Sequence, residues 1–211
     1  MNVHSYRSMM SATQQTTDNK QNSLTDDKRA RLLDAALDLF ESRGFDGVAV
    51  PEIAARAGVA TGTVYRYFAS KEALVNALYR HWKNTYNAVV LAPLPAGLSV
   101  REKFAAYWQR MMLFARTYPR AARFMDLHHH APYLDAESRA LSRAYVEAAQ
   151  DFFAEAGATG AIRPIEPDLV VALMWGAAAG LTKFASQGAV KSDAHAASQM
   201  EEALWRAIAT D

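Results

Sequence analysis

Helical periodicity runs through almost the whole chain from Lys28 onward, and it limits the possible folds more than any other feature. Apolar residues recur every three to four positions, Ala and Leu dominate, and alternating stretches rich in β-branched residues are scarce. Because this spacing places apolar side chains on one face of a helix, we predict an all-α fold of roughly nine helices.

The composition narrows the chemistry that is available to the chain. Hydrophobic residues make up 51% of the 211 residues, which is enough to bury a sizeable core. A net charge of +1 argues against a globally basic protein, so an anionic partner must meet a local basic patch. The absence of cysteine excludes disulfides, thiolate metal sites and cysteine nucleophiles.

Residues 1–24 differ from the rest of the chain. They are rich in Ser, Thr, Gln and Asn and have few large apolar side chains, which predicts a disordered N-terminal tail. They lack the apolar core of a signal peptide, and we find no uninterrupted apolar run long enough to cross a membrane. We therefore expect a soluble cytoplasmic protein without a membrane partner.

Four helices are predicted before a Pro-rich break at residues 92–97, where we place the domain boundary. The first helix follows the cap candidates Thr25 and Asp26 and stops at Gly44. The fourth helix has Ser70 as its N-cap. The apolar stripe of the first helix consists of Leu32, Leu33, Ala36, Leu37, Leu39 and Phe40.

The second and third helices form a helix-turn-helix pattern. The second runs from Val50 to Ala57 and ends at Gly58, and a three-residue turn leads to a third helix that begins near Thr61. The residues that we expect to face inward are Ile53, Ala54, Ala57, Val64 and Phe68. The other face offers hydroxyl, phenol and guanidinium groups, which reach phosphate oxygens and base edges. Its members are Thr61, Thr63, Tyr65, Arg66 and Tyr67.

The block from Lys28 to Leu78 closely resembles the DNA-binding domain of the TetR family of bacterial transcriptional regulators. The matching stretch is ALDLFESRGFDGVAVPEIAARAGVATGTVYRYFASKEAL. The resemblance implies an N-terminal three-helix helix-turn-helix DNA-binding domain, residues 25–90 with the linking fourth helix. It also implies a C-terminal helical ligand-binding and dimerisation domain, residues 97–211. The expected protein is a regulator rather than an enzyme and needs no cofactor or metal.

By this resemblance, the DNA contacts come from the third helix, namely from Thr61, Gly62, Thr63, Tyr65, Arg66 and Tyr67. Lys71, at the start of the fourth helix, would hold a phosphate, and Lys28 and Arg29 before the first helix would do likewise. Ala60 departs from the family pattern, which often has a Ser or Thr followed by a basic residue at this point. This departure removes a cap. In the alternative interpretation, Tyr65 and Tyr67 are packing residues and Lys71 is a solvated charge.

Five further helices are predicted in the second half. Their approximate spans are Ser99 to Thr117, Pro119 to His130, Asp135 to Ala156, Pro167 to Gln187 and Asp193 to Thr210. Many of their side chains are aromatic or Met, and most are expected to form the core. Such side chains also line adaptable apolar pockets, and the resemblance implies an inducer pocket in this half. Its expected wall is Trp108, Met111, Met112, Phe124, His128 and Trp175.

The last two helices are expected to pair across a two-fold axis, as the resemblance implies. Small residues spaced by four, Gly176 and Gly180, would let helices approach closely. The expected interface comprises Gly176, Gly180, Phe184, Leu204, Trp205 and Ile208. Ordinary packing within one chain is the alternative. A homodimer would read both halves of a palindromic operator.

A small, largely apolar inducer is expected to favour a conformation of the protein that no longer matches double-stranded DNA. The fourth and sixth helices are the expected mechanical links.

Three consecutive histidines, His128–His130, form the one candidate metal motif in the sequence. Consecutive helical residues point about 100° apart, so a helical triplet cannot surround a single ion. Asp126 with His130 is a better pair but supplies only two ligands. Packing or capping at a helix end, a place in the ligand pocket and a metal-responsive site all stay open. A helical enzyme is the rival from another class, although the sequence carries no nucleophile motif, HExxH motif or phosphate loop.

Overall fold

The computed structural model describes residues 27–128, 132–191 and 193–210. In these residues the protein is all-α, and extended backbone pairs only at an isolated bridge between Ile162 and Ala209. The predicted tail and the cap candidates Thr25 and Asp26 lie outside the described residues, as do His129 and His130.

The helices follow one another in the order that the sequence predicts. They are α1 (residues 27–43), α2 (Val50–Ala57), α3 (Thr61–Tyr67), α4 (Lys71–Val90), α5 (Val100–Thr117), α6 (Pro119–His128), α7 (Ala136–Ala158), α8 (Pro167–Ser186) and α9 (Ala194–Ile208). The predicted ends agree to about two residues, which is within the fraying expected of helix termini. The prediction extended α6 to His130, whereas its described part ends at His128.

Local capping explains several of these ends. The Ser99 hydroxyl accepts from the Glu102 N–H, and the Glu102 carboxylate accepts from the Ser99 N–H at 2.8 Å, so α5 begins with a capping box. Asp135 and Asp193 cap α7 and α9 in the same way as Ser99 caps α5, through the N–H three residues on. Gly44, after α1, has a φ of 69°, which favours glycine at a helix stop.

The chain forms two compact units, which divide between Val75 and Asn76, inside α4. We call them the N-terminal unit, up to Val75, and the C-terminal unit, from Asn76. The sequence-based boundary lay later, at residues 92–97. The difference arises because α4 residues beyond Val75 bond to the start of α7: Asn76 donates to the Tyr133 carbonyl, and the Tyr79 hydroxyl lies 2.6 Å from that of Ser142.

Each unit has its own buried core. In the N-terminal unit, the apolar stripe of α1 is buried except for Leu39, which is half-buried, and it is joined by apolar residues of α2, α3 and α4. The C-terminal core is formed by α5, α7, α8 and α9 around Phe104 and Trp108. The Trp108 indole donates to the Ala197 carbonyl at 2.7 Å, which satisfies the buried N–H.

Helix α8 is more apolar than expected, because the sequence analysis found no apolar run long enough to cross a membrane. By length and composition alone this helix could cross one. Its buried side packs in the C-terminal core through Val170, Met174 and Leu181. Its other side leaves Leu169, Leu173 and Phe184 exposed, with 62%, 43% and 55% of their surface accessible. This second apolar face is unusual for a helix of a monomeric protein.

Candidate functional site

The helix-turn-helix is held together by four buried side chains. Ile53 and Ala54 of α2, together with Val64 and Phe68 of α3 and its C-cap, are nearly inaccessible, and α2 packs against α3. Between the helices, Gly58 takes a φ of 66°, and the Val59 N–H donates to the Ala54 carbonyl at 3.0 Å. This helix end turns the chain sharply, so α3 crosses close to α2.

The outer face of α3 presents the predicted DNA-contacting groups. Tyr65 is 53% exposed, and Gly62 and Arg66 are also exposed. Thr61, Thr63 and Tyr67 are half-buried, and the Tyr67 ring lies beside Phe68 at 6.4 Å between centroids. The structure therefore separates an exposed phenol and guanidinium from a Tyr67 that is partly engaged in packing.

Packing within the chain does not explain why residue 62 is glycine. A Cβ added at this position would meet no atom within 4 Å. Glycine inside a helix costs about 1 kcal/mol relative to alanine, so this residue weakens α3 without relieving a clash. A side chain at residue 62 would project from the exposed outer face of α3.

Lys71 has contacts that the phosphate prediction did not anticipate. Its ammonium donates to the carbonyls of Phe45 and Val48, at 2.9 and 3.0 Å, and lies 4.1 Å from the centroid of the Phe45 ring. These contacts fix the loop between α1 and α2 against the start of α4. Two of the three ammonium N–H groups are thus engaged within the protein.

The two basic residues at the start of α1 are on the surface. Lys28 and Arg29 are both exposed, and the Arg29 guanidinium lies 5.7 Å from the centroid of the Phe68 ring. Because Phe68 is the C-cap of α3, this ring contact places Arg29 at the C-terminal end of α3. Lys28 precedes it on the exposed surface of α1.

The structure confirms that α3 lacks a side-chain cap, as the alanine at residue 60 predicts. Ala60 is the N-cap residue, and it provides no side-chain hydrogen bond to the helix. The first N–H groups of α3 therefore lack the partner that Ser or Thr would supply.

The C-terminal unit contains a cavity of about 410 Å³. Its wall comes from α4, α6, α7, α8 and the turn before α7, and comprises Tyr79, Lys83, Ala122, Met125, Asp126, Pro132, Arg139, Ser142, Arg143, Tyr145, Val146 and Trp175. This volume lies in the range of small-molecule sites, and the wall combines apolar side chains with a few polar ones.

Trp175 is the predicted pocket residue that the structure places in this wall. Met111 lines a separate cavity of about 50 Å³ between α5 and α7, together with Tyr145. Trp108, Met112, Phe124 and His128 are buried side chains and do not contribute to the described wall of the larger cavity. Amphipathic periodicity finds buried residues, and most buried residues of a helical unit pack against one another rather than around a void.

His128 is a packed residue of the core. Only 2% of its surface is accessible, its ring lies 4.5 Å from Phe124, and its Nδ1 hydrogen-bonds the Tyr133 hydroxyl. Tyr133 follows Pro132, which lines the cavity, but Tyr133 itself is not part of the described wall. The described residues include no group of three potential metal ligands. His129 and His130 lie outside the described residues, so the Asp126–His130 pair stays a prediction.

Sequence interpretation missed every wall residue except Trp175, and Lys83 is the missed residue with the most unusual surroundings. Its ammonium lies over two aromatic rings, 4.9 Å from the Tyr86 centroid and 4.7 Å from that of Tyr145. Burial lowers the pKa of Lys83 to about 8 and raises the pKa values of Tyr79, Tyr86 and Tyr145. A lysine among aromatic residues in α4 is the sequence signal that could have identified it.

The predicted dimer residues fall into two groups. Gly176 and Phe184 are exposed and Gly180 is half-buried, all on α8. On α9, Leu204 and Ile208 are instead part of the C-terminal core, and Trp205 packs against Phe104 with Arg101 over its ring at 5.3 Å. The apolar stripe of α9 is therefore directed into its own unit.

Two family models match the chain. Residues 32–78 match bacterial regulatory proteins of the tetR family, and residues 81–210 match the tetracyclin repressor-like C-terminal domain. The first match contains the helix-turn-helix, and the second contains the exposed face of α8 and nearly all of the cavity wall.

Known relatives give the same assignment. The HTH-type transcriptional regulator RutR of Escherichia coli is 32% identical over 168 residues, which cover 76% of each chain. The HTH-type transcriptional repressor KstR of Rhodococcus jostii is 32% identical over 130 residues, 59% of this chain and 61% of that protein. Both relatives are regulators of transcription by name.

Solved structures share the fold. A tetR family transcription regulator from Shewanella superposes with a TM-score of 0.73 at 25% identity and covers 87% of this chain and 99% of its own. Another from Marinobacter aquaeolei reaches a TM-score of 0.79 at 21% identity, over 90% and 100% of the two chains. The chain therefore belongs to the TetR family of bacterial regulatory proteins, and it is a DNA-binding regulator of transcription rather than an enzyme.

Proposed function

We propose that this protein is a dimeric, cytoplasmic repressor that binds a palindromic operator and is released from it by a small molecule in the C-terminal unit. The exposed face of α3 carries this proposal, because it presents Tyr65 and Arg66 beside the bare backbone of Gly62. A guanidinium donates to guanine or phosphate, and a phenol offers both a hydroxyl and a flat apolar surface.

Dimerisation is supported by the exposed face of α8. Leu169, Leu173, Gly176 and Phe184 lie at helical spacing and are exposed, and a Cβ at Gly176 would meet nothing within 4 Å. A second copy packed on this face would bury these leucines and explain a glycine that its own chain does not require. Leu204 and Ile208 lie outside the proposed interface because they are buried in the core.

Ligand control is supported by the cavity, whose volume of about 410 Å³ suits a small organic molecule. A ligand regulates DNA binding only by preferring one conformation of the protein over another. The proposed inducer therefore binds more tightly to a conformation with low operator affinity. Because most of the wall is apolar, an inducer with a largely apolar body fits it best.

Selection of bound fragments from a genomic DNA library tests the proposal. We expect enrichment of a palindromic duplex, with affinity that falls steeply as salt rises because phosphate contacts release counterions. Arg66→Ala should weaken operator binding by about 1–3 kcal/mol. Lys191→Ala, at an exposed lysine outside both candidate sites, is the matched control and should bind like the wild type. Failure to enrich any duplex would overturn the proposal.

A further inference from the structure

The ammonium of Lys83 lies in the cavity wall, against aromatic rings rather than a carboxylate. Its contacts among the described residues are the faces of Tyr86 and Tyr145, and burial is the cause that lowers its pKa. An incompletely compensated cation in a cavity is unfavourable unless a ligand supplies the opposite charge. Such a residue is a marker of a binding site.

The rest of the wall has the same bias in charge. Three basic side chains, Lys83, Arg139 and Arg143, line the cavity against one acidic side chain, Asp126, among the residues that the structure describes. Arg139, which is exposed, donates to the Leu134 carbonyl. Hydroxyl groups of Tyr79 and Ser142 share one hydrogen bond in the wall, at 2.6 Å. The polar part of the cavity therefore favours an acceptor that carries negative charge.

Apolar side chains complete the wall. Met125, Val146 and Trp175 lie on α6, α7 and α8 and offer a flexible, a branched and a flat surface. Such surfaces take up an apolar body by removing it from water. The cavity thus combines an apolar part with the ammonium of Lys83, which is half-buried.

We propose that the cavity binds an organic anion, a small molecule with an apolar body and one carboxylate, and that Lys83 binds the carboxylate. This inference rests on the proposed ligand response and specifies its chemical class. A neutral apolar ligand would remove water from the Lys83 ammonium without supplying a hydrogen bond or an opposite charge in its place. A cationic ligand would meet the repulsion of three basic groups, which outnumber Asp126.

Matched probes that differ only in their polar group test the inference. Octanoate, octanamide and octylamine share one apolar body, and naphthylacetate and naphthylacetamide share another. Calorimetric titration of the full-length protein should show each carboxylate binding about tenfold or more tightly than its amide, since a charged hydrogen bond is stronger than a neutral one. Octylamine should bind most weakly.

Three variants assign the effect to Lys83. Lys83→Met should remove the preference for carboxylate over amide, and Lys83→Arg, which retains a cation, should preserve it. Lys191→Met changes an exposed lysine in the same unit and should preserve it as well. A melting curve for each variant shows whether the variant is folded. If Lys83→Met does not fold, the carboxylate and amide titrations of the wild type and of Lys83→Arg are used instead to test the role of Lys83.

The pH dependence gives a second readout. The wild-type affinity for naphthylacetate should fall as pH rises above about 8, where the free protein loses the proton of Lys83. The facing groups are Tyr79, Tyr86 and Tyr145, whose pKa values are raised, together with Asp126, Arg139 and Arg143. Lys83→Arg should flatten the profile because its guanidinium stays protonated.

Three outcomes would overturn the inference: equal binding of carboxylate and amide, a carboxylate preference that survives Lys83→Met, or failure of every carboxylate to bind. None of them affects the proposed function if the protein still selects an operator and another class of ligand releases it. Conversely, failure to select any duplex would remove the proposed function while the probe titrations still report on the cavity.

Discussion

At the scale of single residues, Gly62 is a proposed DNA contact at a position where glycine is unfavourable for folding. It lies inside α3, is exposed, and has open space where a Cβ would be. Glycine there favours the unfolded chain, because it has more backbone freedom to lose than any other residue. Packing within the protein does not require this glycine, and the proposed close approach of DNA to α3 is a role that substitution can test.

Gly62→Ala should therefore separate stability from binding. We expect the free energy of unfolding to rise by about 0.5–1 kcal/mol, since alanine stabilises a helix, and operator affinity to fall because the methyl group enters the DNA contact surface. Chemical denaturation and fluorescence anisotropy with labelled operator measure the two quantities.

Gly157→Ala is the matched control for this substitution. Gly157 is also helical, on α7, and a Cβ there would likewise meet nothing within 4 Å. It should raise stability while leaving operator affinity at the wild-type value. If Gly62→Ala bound operator as well as Gly157→Ala does, Gly62 would not contact DNA.

At the scale of helices, polar side chains join α4 to the start of α7. Asn76 is buried and makes three bonds of 2.8 Å: it donates to the Tyr133 carbonyl and accepts from the Asp135 N–H and the Ser138 hydroxyl. Arg80 adds an ion pair with Asp135. Removing the Asn76 amide would strand several of these partners, and stranded buried groups are costly.

Asn76→Ala should lower the free energy of unfolding by about 2–4 kcal/mol, mostly through the partners left without a bond. Asn87→Ala, on the same helix, removes one longer bond of 3.4 Å to the Leu141 carbonyl and should cost less. Urea denaturation of both variants measures the difference. Equal losses would show that the three Asn76 bonds contribute no more than the single bond of the half-buried Asn87.

Features set by residues close together in the chain were predictable from the sequence, whereas features set by residues far apart in the chain were not. Helix ends at Ser99, Asp135 and Gly58 follow from caps and stops within a few residues, so the order and bounds of the helices were predictable. The exposed Tyr65 and Arg66 followed from the periodicity of α3 and from the family motif.

The cavity could not be predicted in the same way. Lys83 meets Ser142 and Trp175 in one wall only because α4, α7 and α8 pack around a common space. No local pattern reports that packing, and a search for Met and aromatic residues selected the core instead. The double contact of Lys71 with the loop before α2 also depends on residues that are distant in the chain.

At the scale of the whole molecule, the exposed apolar face of α8 makes oligomeric state testable. Leu173→Glu should convert the proposed dimer to a monomer, because a carboxylate would be buried at the interface without a partner. Operator affinity should fall with it, since each protomer would then read a single half-site. Light scattering and operator titration at several protein concentrations measure these effects.

Leu113→Glu provides the comparison on another face. Leu113 is 51% exposed on α5, close to the 43% of Leu173, and it lies outside the proposed interface. Leu113→Glu should leave the molar mass of the protein in solution at the wild-type value. A monomeric wild type, or a dimer that survives Leu173→Glu, would rule out this face.

The division of α4 between the two units has a practical consequence for excising the DNA-binding part. A fragment cut at the end of the helix, after Val90, would carry residues 76–90 away from Tyr133, Ser142 and Tyr145, which their side chains bond in the intact chain. Those residues would then form an exposed extension prone to self-association. A minimal DNA-binding module is better ended near Val75, and a chimaera that exchanges regulatory halves is better joined within α4 than at the Pro-rich break.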